Sequence, residues 1–333
     1  MKITKIEAFN IVNPIAGGKF EPGGGESGAR RDPWTKSAEV ANPMSRYPKY
    51  KALRASWLSP WSAVGCLVTA DDGTWGFGVT GYGNPVSAII NEHVGPRLEG
   101  ENPLATDCLF DMMTRIASPY SPGGLASYAI SAIDLALWDL KGRKLGMPVY
   151  ELAGGPARER QFWYSTGNDT DWFMELGFEA TNLACPFGPT DGLAGIDGNE
   201  ALVAKTRELI GPHRDLMLDC WMAFDVEFAV RLANRLRPYG LKWMEDCLIP
   251  ENMSAHRALR DRLPWQTLST GEHWYMPYPL FDAARDRLVD IFPPDINWVG
   301  GFTACQRIAA IADAAGHETI LHAGMNTPYG QHF

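Results

Sequence analysis

The fold is decided by three short segments: Leu216-Met217-Leu218-Asp219, Lys242-Trp243-Met244-Glu245 and Ser269-Thr270-Gly271-Glu272. Each segment is mostly apolar or small and ends on an acidic residue, which is typical of a buried strand that runs into a polar side chain. A spacing of roughly 25 residues leaves room for a helix after each strand, so we expect the strands to pair in parallel.

The same alternation of strand and helix extends on both sides of these segments, from about residue 160 onward. Seven strands are predicted, at Phe162–Thr166, Phe178–Ala184, Leu216–Cys220, Leu241–Asp246, Thr267–Gly271, Ile291–Ile296 and Thr319–His322. Helical patterns lie between them, including Glu200–Ile210, Val226–Leu236 and Thr303–Ala315. This regular repetition favours a closed (β/α) TIM-like barrel over an open sheet.

Polar residues stand where five consecutive strands end. Asp219, Glu245 and Glu272 end the first three, and Asp295 and His322 belong to the next two. Because the carboxyl ends of all strands in a parallel barrel point to one rim, we expect these five side chains to converge on one mouth.

Three carboxylates on neighbouring strands cannot all stay ionised near one another without a cation. Oxygen ligands suit Mg²⁺ first and Mn²⁺ second. A lone acidic residue at a strand end is often a helix N-cap, but capping explains the whole set poorly. An aspartate beside a histidine fixes the tautomer and raises the basicity of the ring, so we predict a hydrogen bond between Asp295 and His322. Asp246 should point away from Glu245 if the strand pleat continues.

Residues 1–155 form a second region, which we interpret as an α+β capping domain, with the barrel over 156–333. Its predicted elements are a strand, a hairpin and a long helix, at Ile3–Val12, Cys66–Ala70, Thr74–Val79 and Leu125–Leu145. A glycine-rich segment, Gly17–Gly28, begins a loop that continues to about Tyr47. A loop of that length in a compact domain is usually functional or mobile.

Composition excludes several partners. The 333 residues carry a net charge of −9, and binding to nucleic acid or to an anionic membrane requires a basic face. No apolar run has the length of a membrane span or a signal peptide. The six cysteines lie far apart without a C-x-x-C pair, so we expect free, buried thiols in a reducing cytoplasm.

Five motifs together resemble the enolase superfamily, in its mandelate racemase subgroup, and within it the acid-sugar dehydratases that act on L-rhamnonate. The resemblance covers nearly the whole chain. The motifs are Asn42-Pro43-Met44-Ser45-Arg46-Tyr47, Ile133-Asp134-Leu135-Ala136-Leu137-Trp138-Asp139-Leu140, Leu218-Asp219-Cys220-Trp221-Met222, Leu241-Lys242-Trp243-Met244-Glu245-Asp246-Cys247 and Ser269-Thr270-Gly271-Glu272-His273. The last three form a specific combination.

This resemblance implies an enolase-type fold and assigns roles to the residues. The metal ligands would be Asp219, Glu245 and Glu272, and His322 would be the catalytic base, supported by Asp295. It also suggests that Arg54 and the glycine-rich loop close over the substrate, and that the chain assembles into a homo-oligomer, an octamer in the family.

Two departures from the family pattern concern the substrate. Relatives carry a histidine in the early loop, where this chain has Arg30 and Arg31. Many also place a lysine on the second barrel strand, where Asn182 stands here. With Arg54, the substrate contacts predicted are His273, Asn182 and Trp298.

One base on one face of the substrate predicts a dehydratase. A racemase needs acid–base groups on both faces of the α-carbon, whereas His322 alone can take the α-proton and protonate the leaving 3-hydroxyl. We therefore predict a Mg²⁺-dependent hydro-lyase that converts L-rhamnonate, or a neighbour such as L-lyxonate, to a 2-keto-3-deoxy sugar acid. A racemase or epimerase of 2-hydroxy acids, or a non-catalytic metal-binding paralogue, remains an alternative.

The strand count gives a final expectation. Seven strands leave a barrel open, and an open edge has unpaired backbone groups. We therefore expect a longer natural chain, with a last strand and a C-terminal segment that follow Phe333.

Overall fold

An antiparallel sheet lies near the amino terminus of the computed structural model, which describes residues 1–11, 39–51 and 56–333. Its strands are β1 (Ile3–Ile11), β2 (Ala63–Ala70) and β3 (Trp75–Thr80), in that order. The predicted hairpin is confirmed, with Gly73 at φ 82° in the turn between β2 and β3. Glycine favours this left-handed conformation because it has no Cβ.

Four helices accompany this sheet: α1 (Gly83–Ala88), α2 (Thr106–Ala117), α3 (Leu125–Leu145) and α4 (Val149–Leu152). Helices α1 and α3 pack on the sheet, and α2 and α4 pack on α3. A π-helix spans Ile89–Val94, and 3₁₀ turns span Pro43–Arg46, Pro48–Tyr50, Gly95–Arg97 and Ser118–Tyr120. Helix α3 has the predicted bounds and ends at Gly146, which is left-handed at φ 65°. It lies directly on β3, since a Cβ at Gly78 would stand 2.0 Å from the Ala132 carbonyl oxygen.

A seven-stranded parallel sheet forms the second region, in the order β10-β9-β8-β7-β6-β5-β4. The strands are β4 (Ser165–Thr166), β5 (Ala180–Ala184), β6 (Asp215–Asp219), β7 (Met244–Glu245), β8 (Leu268–Ser269), β9 (Ile291–Phe292) and β10 (Glu318–Thr319). All seven predicted strands are present in the predicted order, but most are shorter. Strand β9 ends at Phe292 because Pro293 and Pro294 have no N–H for the ladder. In the described sheet β4 and β10 are the edges, and an eighth strand stays a prediction.

The helices that follow the strands are α5 (Thr170–Glu175), α6 (Gly192–Ile210), α7 (Val226–Leu236), α8 (Met253–Arg262), α9 (Pro277–Arg285), α10 (Gly301–Ala315) and α11 (Pro328–His332). Further 3₁₀ turns span Pro189–Asp191, Arg237–Tyr239 and Gly324–Asn326. Helix α7 has the predicted bounds, and its N-cap Asp225 accepts a hydrogen bond from the Phe228 amide. Helices α6 and α10 begin earlier than predicted, because glycines at their first turns conceal the helical pattern.

The barrel interior has an apolar floor beneath the acidic residues. The side chains that pack there lie in six of the strands or directly beside them: Tyr164, Ala180, Met217, Trp243, Ile291 and Ile320. In the described part of the chain no helix is long and apolar enough to cross a membrane. All six cysteines are free. The expectation that they are buried is wrong for Cys108, which is exposed on α2.

Candidate metal and proton-transfer site

The predicted carboxylates stand at the carboxyl ends of adjacent strands. Asp219 ends β6, Glu245 ends β7, and the two residues are paired across the ladder. Glu272 lies three residues after the end of β8. Glu245 and Glu272 are each 4% exposed, while Asp219 is half-buried. The parallel sheet thus brings together acids that lie far apart in sequence, as the strand pattern predicts.

Electrostatics shows how costly this arrangement is without a cation. Burial, then the charges of Asp219 and Glu272, raise the pKa of Glu245 to about 8. Burial would also raise the pKa of Glu272, but His322 and His273 outweigh it and hold that pKa well below its ordinary value. A positive charge among the three carboxylates would relieve their mutual repulsion.

The predicted pair of Asp295 and His322 is in contact. Asp295 Oδ2 lies 2.8 Å from His322 Nδ1, and the other ring nitrogen, Nε2, lies 2.8 Å from Glu272 Oε2. Burial lowers the pKa of His322, but the charge of Glu272 and the hydrogen bonds to Asp295 and Glu272 raise it well above its ordinary value. The side chain is 26% exposed, so a small molecule at the mouth can reach the ring.

Asp246 also lies at the site, in contact with His273. The expectation that it points away from Glu245 rested on a continuing strand pleat, but at φ 43° its backbone leaves that pleat. Its Oδ2 lies 3.1 Å from His273 Nδ1, which is also 3.0 Å from Glu272 Oε1. Burial lowers the pKa of His273, but the charge of Glu272 and the contacts with Asp246 raise it to about 10.

One potential ligand atom from each of Asp246, Glu272 and His273 lies within 4.8 Å of the others. Among the described residues, Asp219 and Glu245 do not belong to this tight group. Glu245 is held from below instead: its Oε2 accepts hydrogen bonds from Asn182 Nδ2 at 2.8 Å and Trp243 Nε1 at 2.9 Å. Trp243 was missed, although its place two residues before Glu245 puts both on one face of the strand.

An aromatic wall stands beside the histidines. The Trp298 ring is half-buried, with its centroid 4.9 Å from the His322 ring and 5.7 Å from the His273 ring. Tyr128 of α3 also stacks against Trp298, with the ring centroids 5.9 Å apart. Trp298 therefore lines the mouth of the barrel, where it can limit the access of water to His322 and contact a substrate.

The capping region holds the loop that carries Asp295 and Trp298. Asn297 Nδ2 donates to the Val79 carbonyl oxygen at 2.7 Å, and Ser127 Oγ donates to the Trp298 carbonyl oxygen at 2.6 Å. Further along, Asp134 of α3 accepts hydrogen bonds from the Thr303 amide at 2.9 Å and the Thr303 hydroxyl at 2.6 Å. The motif around Asp134 therefore joins the two regions close to the site.

Some predicted residues lie outside the described ranges. These are Arg54, the pair Arg30 and Arg31, and the glycine-rich segment Gly17–Gly28. Asn182 is described, but it is 2% exposed and bound to Glu245. We expected Asn182 to contact the substrate, whereas the structure places its side chain beneath Glu245.

The donor chemistry of the site fits a hard divalent cation. Oxygen atoms predominate, and two of them are buried without a hydrogen-bond partner in the described part of the chain, Asn182 Oδ1 and Asp246 Oδ1. Native proteins seldom leave such atoms unpaired. Carboxylate and amide oxygens are the ligands that Mg²⁺ and Ca²⁺ prefer.

Two family models match most of the chain. The family model of the mandelate racemase / muconate lactonizing enzyme N-terminal domain matches residues 53–154. The model named enolase C-terminal domain-like matches residues 174–332.

Individual relatives match all or nearly all of the chain. L-Rhamnonate dehydratase of Saccharopolyspora erythraea is 37% identical over 337 residues, which span 100% of this chain and 83% of that one. The crystal structure of rhamnonate dehydratase from Gibberella zeae complexed with Mg superposes with a TM-score of 0.90 at 33% identity, covering 100% of this chain and 80% of that one. The 3,6-anhydro-D-galactonate cycloisomerase of Zobellia galactanivorans superposes with a TM-score of 0.71 at 27% identity, over 97% and 80%.

Proposed function

We propose that this chain, which belongs to the mandelate racemase and muconate lactonizing enzyme family of the enolase superfamily, acts on L-rhamnonate or a stereochemical neighbour such as L-lyxonate. Its reaction class is the Mg²⁺-dependent dehydration of an acid sugar, so it is a carbon–oxygen lyase. The observation that carries the proposal is the contact of His322 with Asp295 beside buried carboxylates at the barrel mouth.

The cation would be held by Asp219, Glu245 and Glu272, with Mn²⁺ as a substitute for Mg²⁺. When bound, it supplies the positive charge that makes the proton α to a carboxylate acidic enough to be removed. His273 lies against Glu272 and can donate a hydrogen bond to a substrate oxygen. Trp298 covers one side of the reacting atoms.

His322 carries both proton transfers. Its Nδ1 is held by Asp295, so Nε2 is the atom that takes the proton from C2 of the substrate. The C2–H bond breaks, and the proton then passes from Nε2 to the 3-hydroxyl as the C3–O bond breaks and water leaves. The resulting enol ketonises to a 2-keto-3-deoxy sugar acid. Both steps occur on one face of the substrate, as expected of a single base.

We infer that the chain has two domains. A boundary near residue 155 separates a cap, residues 1–155, from a barrel, residues 156–333. The two family models support it, because one ends at residue 154 and the other begins at residue 174.

Six free cysteines support a reducing, cytoplasmic location. Family membership and exposed aromatic side chains such as Tyr278 and Phe281 support a homo-oligomer. Light scattering would show whether it contains eight copies.

A panel of acid sugars, incubated with Mg²⁺ and then with EDTA, tests the function. We expect 2-keto-3-deoxy product from L-rhamnonate or a near stereoisomer, and its loss when EDTA removes the cation. If the only product is the C2 epimer of the substrate, the racemase alternative replaces the proposed dehydratase. Mg²⁺ binding without conversion of any sugar in the panel would favour the non-catalytic alternative.

A further inference from the structure

One oxygen of Glu245 is fixed by two donors from the barrel floor. Asn182 Nδ2 and Trp243 Nε1 both donate to Oε2, at 2.8 and 2.9 Å. Glu245 is 4% exposed, and the two donors are each 2% exposed. Within the described residues no hydrogen bond reaches Glu245 Oε1, so this is the oxygen left to accept a cation.

Both donors are held rigidly. Asn182 lies in β5, where it pairs with Met217 of β6. The Trp243 ring packs in the apolar floor, with the Tyr164 ring edge-on at 5.6 Å. Trp243 and Glu245 are two residues apart on one strand, so the indole N–H and the carboxylate share a face. The Trp243 ring cannot turn away without disturbing the floor.

Two neutral donors suit a metal ligand for a physical reason. A buried carboxylate needs hydrogen bonds, because its desolvation is otherwise costly, and such charge-assisted bonds are strong. A lysine at position 182 would supply the bond but would also cancel the negative charge. The amide of Asn182 and the indole of Trp243 orient Glu245 and leave its full charge for the cation.

We propose that Asn182 and Trp243 are positioning residues, which aim Glu245 at the divalent cation by holding its Oε2. The proposal rests on the proposed function, because it takes Glu245 as a metal ligand. It replaces the expectation that Asn182 contacts the substrate. Hydrogen-bonded partners of metal ligands orient them, and their loss typically weakens metal binding about 10- to 100-fold.

Calorimetric titration of the full chain with Mg²⁺ measures this effect without any turnover. Asn182→Leu removes one donor at similar volume, and Trp243→Phe removes the other while it keeps an aromatic ring in the floor. We expect the Kd for Mg²⁺ to rise about 10- to 100-fold in each variant. Trp243→Phe keeps the proposal testable if Asn182→Leu fails to fold, and circular dichroism checks both.

Asn168 provides a matched control. It lies in the bend that follows β4, and among the described residues its hydrogen bonds reach the backbone of Ala184 alone, at 3.0 Å in both directions. Asn168→Leu should bind Mg²⁺ with the Kd of the unmodified chain. Unchanged Kd values in folded Asn182→Leu and Trp243→Phe, or an equal rise in Asn168→Leu, would overturn the inference. Absence of Mg²⁺ binding by the unmodified chain would instead refute the proposed function.

Discussion

Replacing His322 by asparagine removes the proposed base and changes little else. The ring makes two contacts of 2.8 Å, to Asp295 Oδ2 and Glu272 Oε2. Asparagine can keep one polar contact to these carboxylates, but near neutral pH it cannot carry a proton from C2 to the leaving hydroxyl.

The expected loss follows from the double role of His322. A positioned acid or base contributes about 10²- to 10⁴-fold to rate, and His322 serves as both. We therefore expect kcat to fall by about 10⁴-fold, which corresponds to ~5.4 kcal/mol of transition-state stabilisation.

Two assays measure this change: turnover of the preferred acid sugar, and exchange of its C2 proton with deuterated water. His317→Asn is the control, since His317 precedes β10 at the opposite end from His322. The control should keep its activity, and His322→Asn should lose both turnover and exchange while it still binds Mg²⁺. A kcat within about tenfold of the unmodified value in His322→Asn would refute the assignment of the base.

Further substitutions test the supporting contacts. Asp295→Asn should lower kcat by about 10²-fold or more in steady-state assays, because the amide no longer fixes the His322 tautomer; an unchanged kcat would contradict that role. Burial, opposed by hydrogen bonds from Thr303, raises the pKa of Asp134 to about 7. The folded chain therefore holds a proton that the unfolded chain has lost, and the stability contributed by Asp134 declines between about pH 4 and 7, by at most ~1.4 kcal/mol per unit. Urea unfolding of Asp134→Asn should lack this decline, and an identical pH profile would exclude it. Gly301→Ala should cost about 1–3 kcal/mol more than Gly316→Ala in the same measurement. Both glycines have positive φ, but a Cβ at Gly301 would stand 2.5 Å from Asp134 Oδ2, whereas nothing lies within 4 Å at Gly316. Equal losses would show that the crowding relaxes freely.

Local signals in the sequence were sufficient for several elements. Helix α3 has its predicted bounds because Gly146 and Pro148 mark its end. The order of the strands, and the acids at their ends, follow from short apolar runs that each end on Asp219 or Glu245. The family motifs carry the same information, and the matched family models agree with them.

Contacts that depend on barrel geometry were beyond the sequence pattern. Asn182 and Glu245 are 63 residues apart, and their hydrogen bond is possible because β5 and β7 flank β6 in the curled sheet. Alternation along a strand could not reveal the turn at Asp246, where φ is 43°. The place of Trp298 depends on the cap, since Ser127 holds its carbonyl oxygen.

The central claim is one-sided dehydration by His322 with a cation, and one experiment tests it most directly. The full chain, with Mg²⁺, is incubated with L-rhamnonate in deuterated water and followed by proton NMR. We expect the signals of a 2-keto-3-deoxy sugar acid to replace those of the substrate, without a C2 epimer in the remaining substrate. Accumulation of the epimer without that product, or conversion that continues in EDTA, would contradict the account.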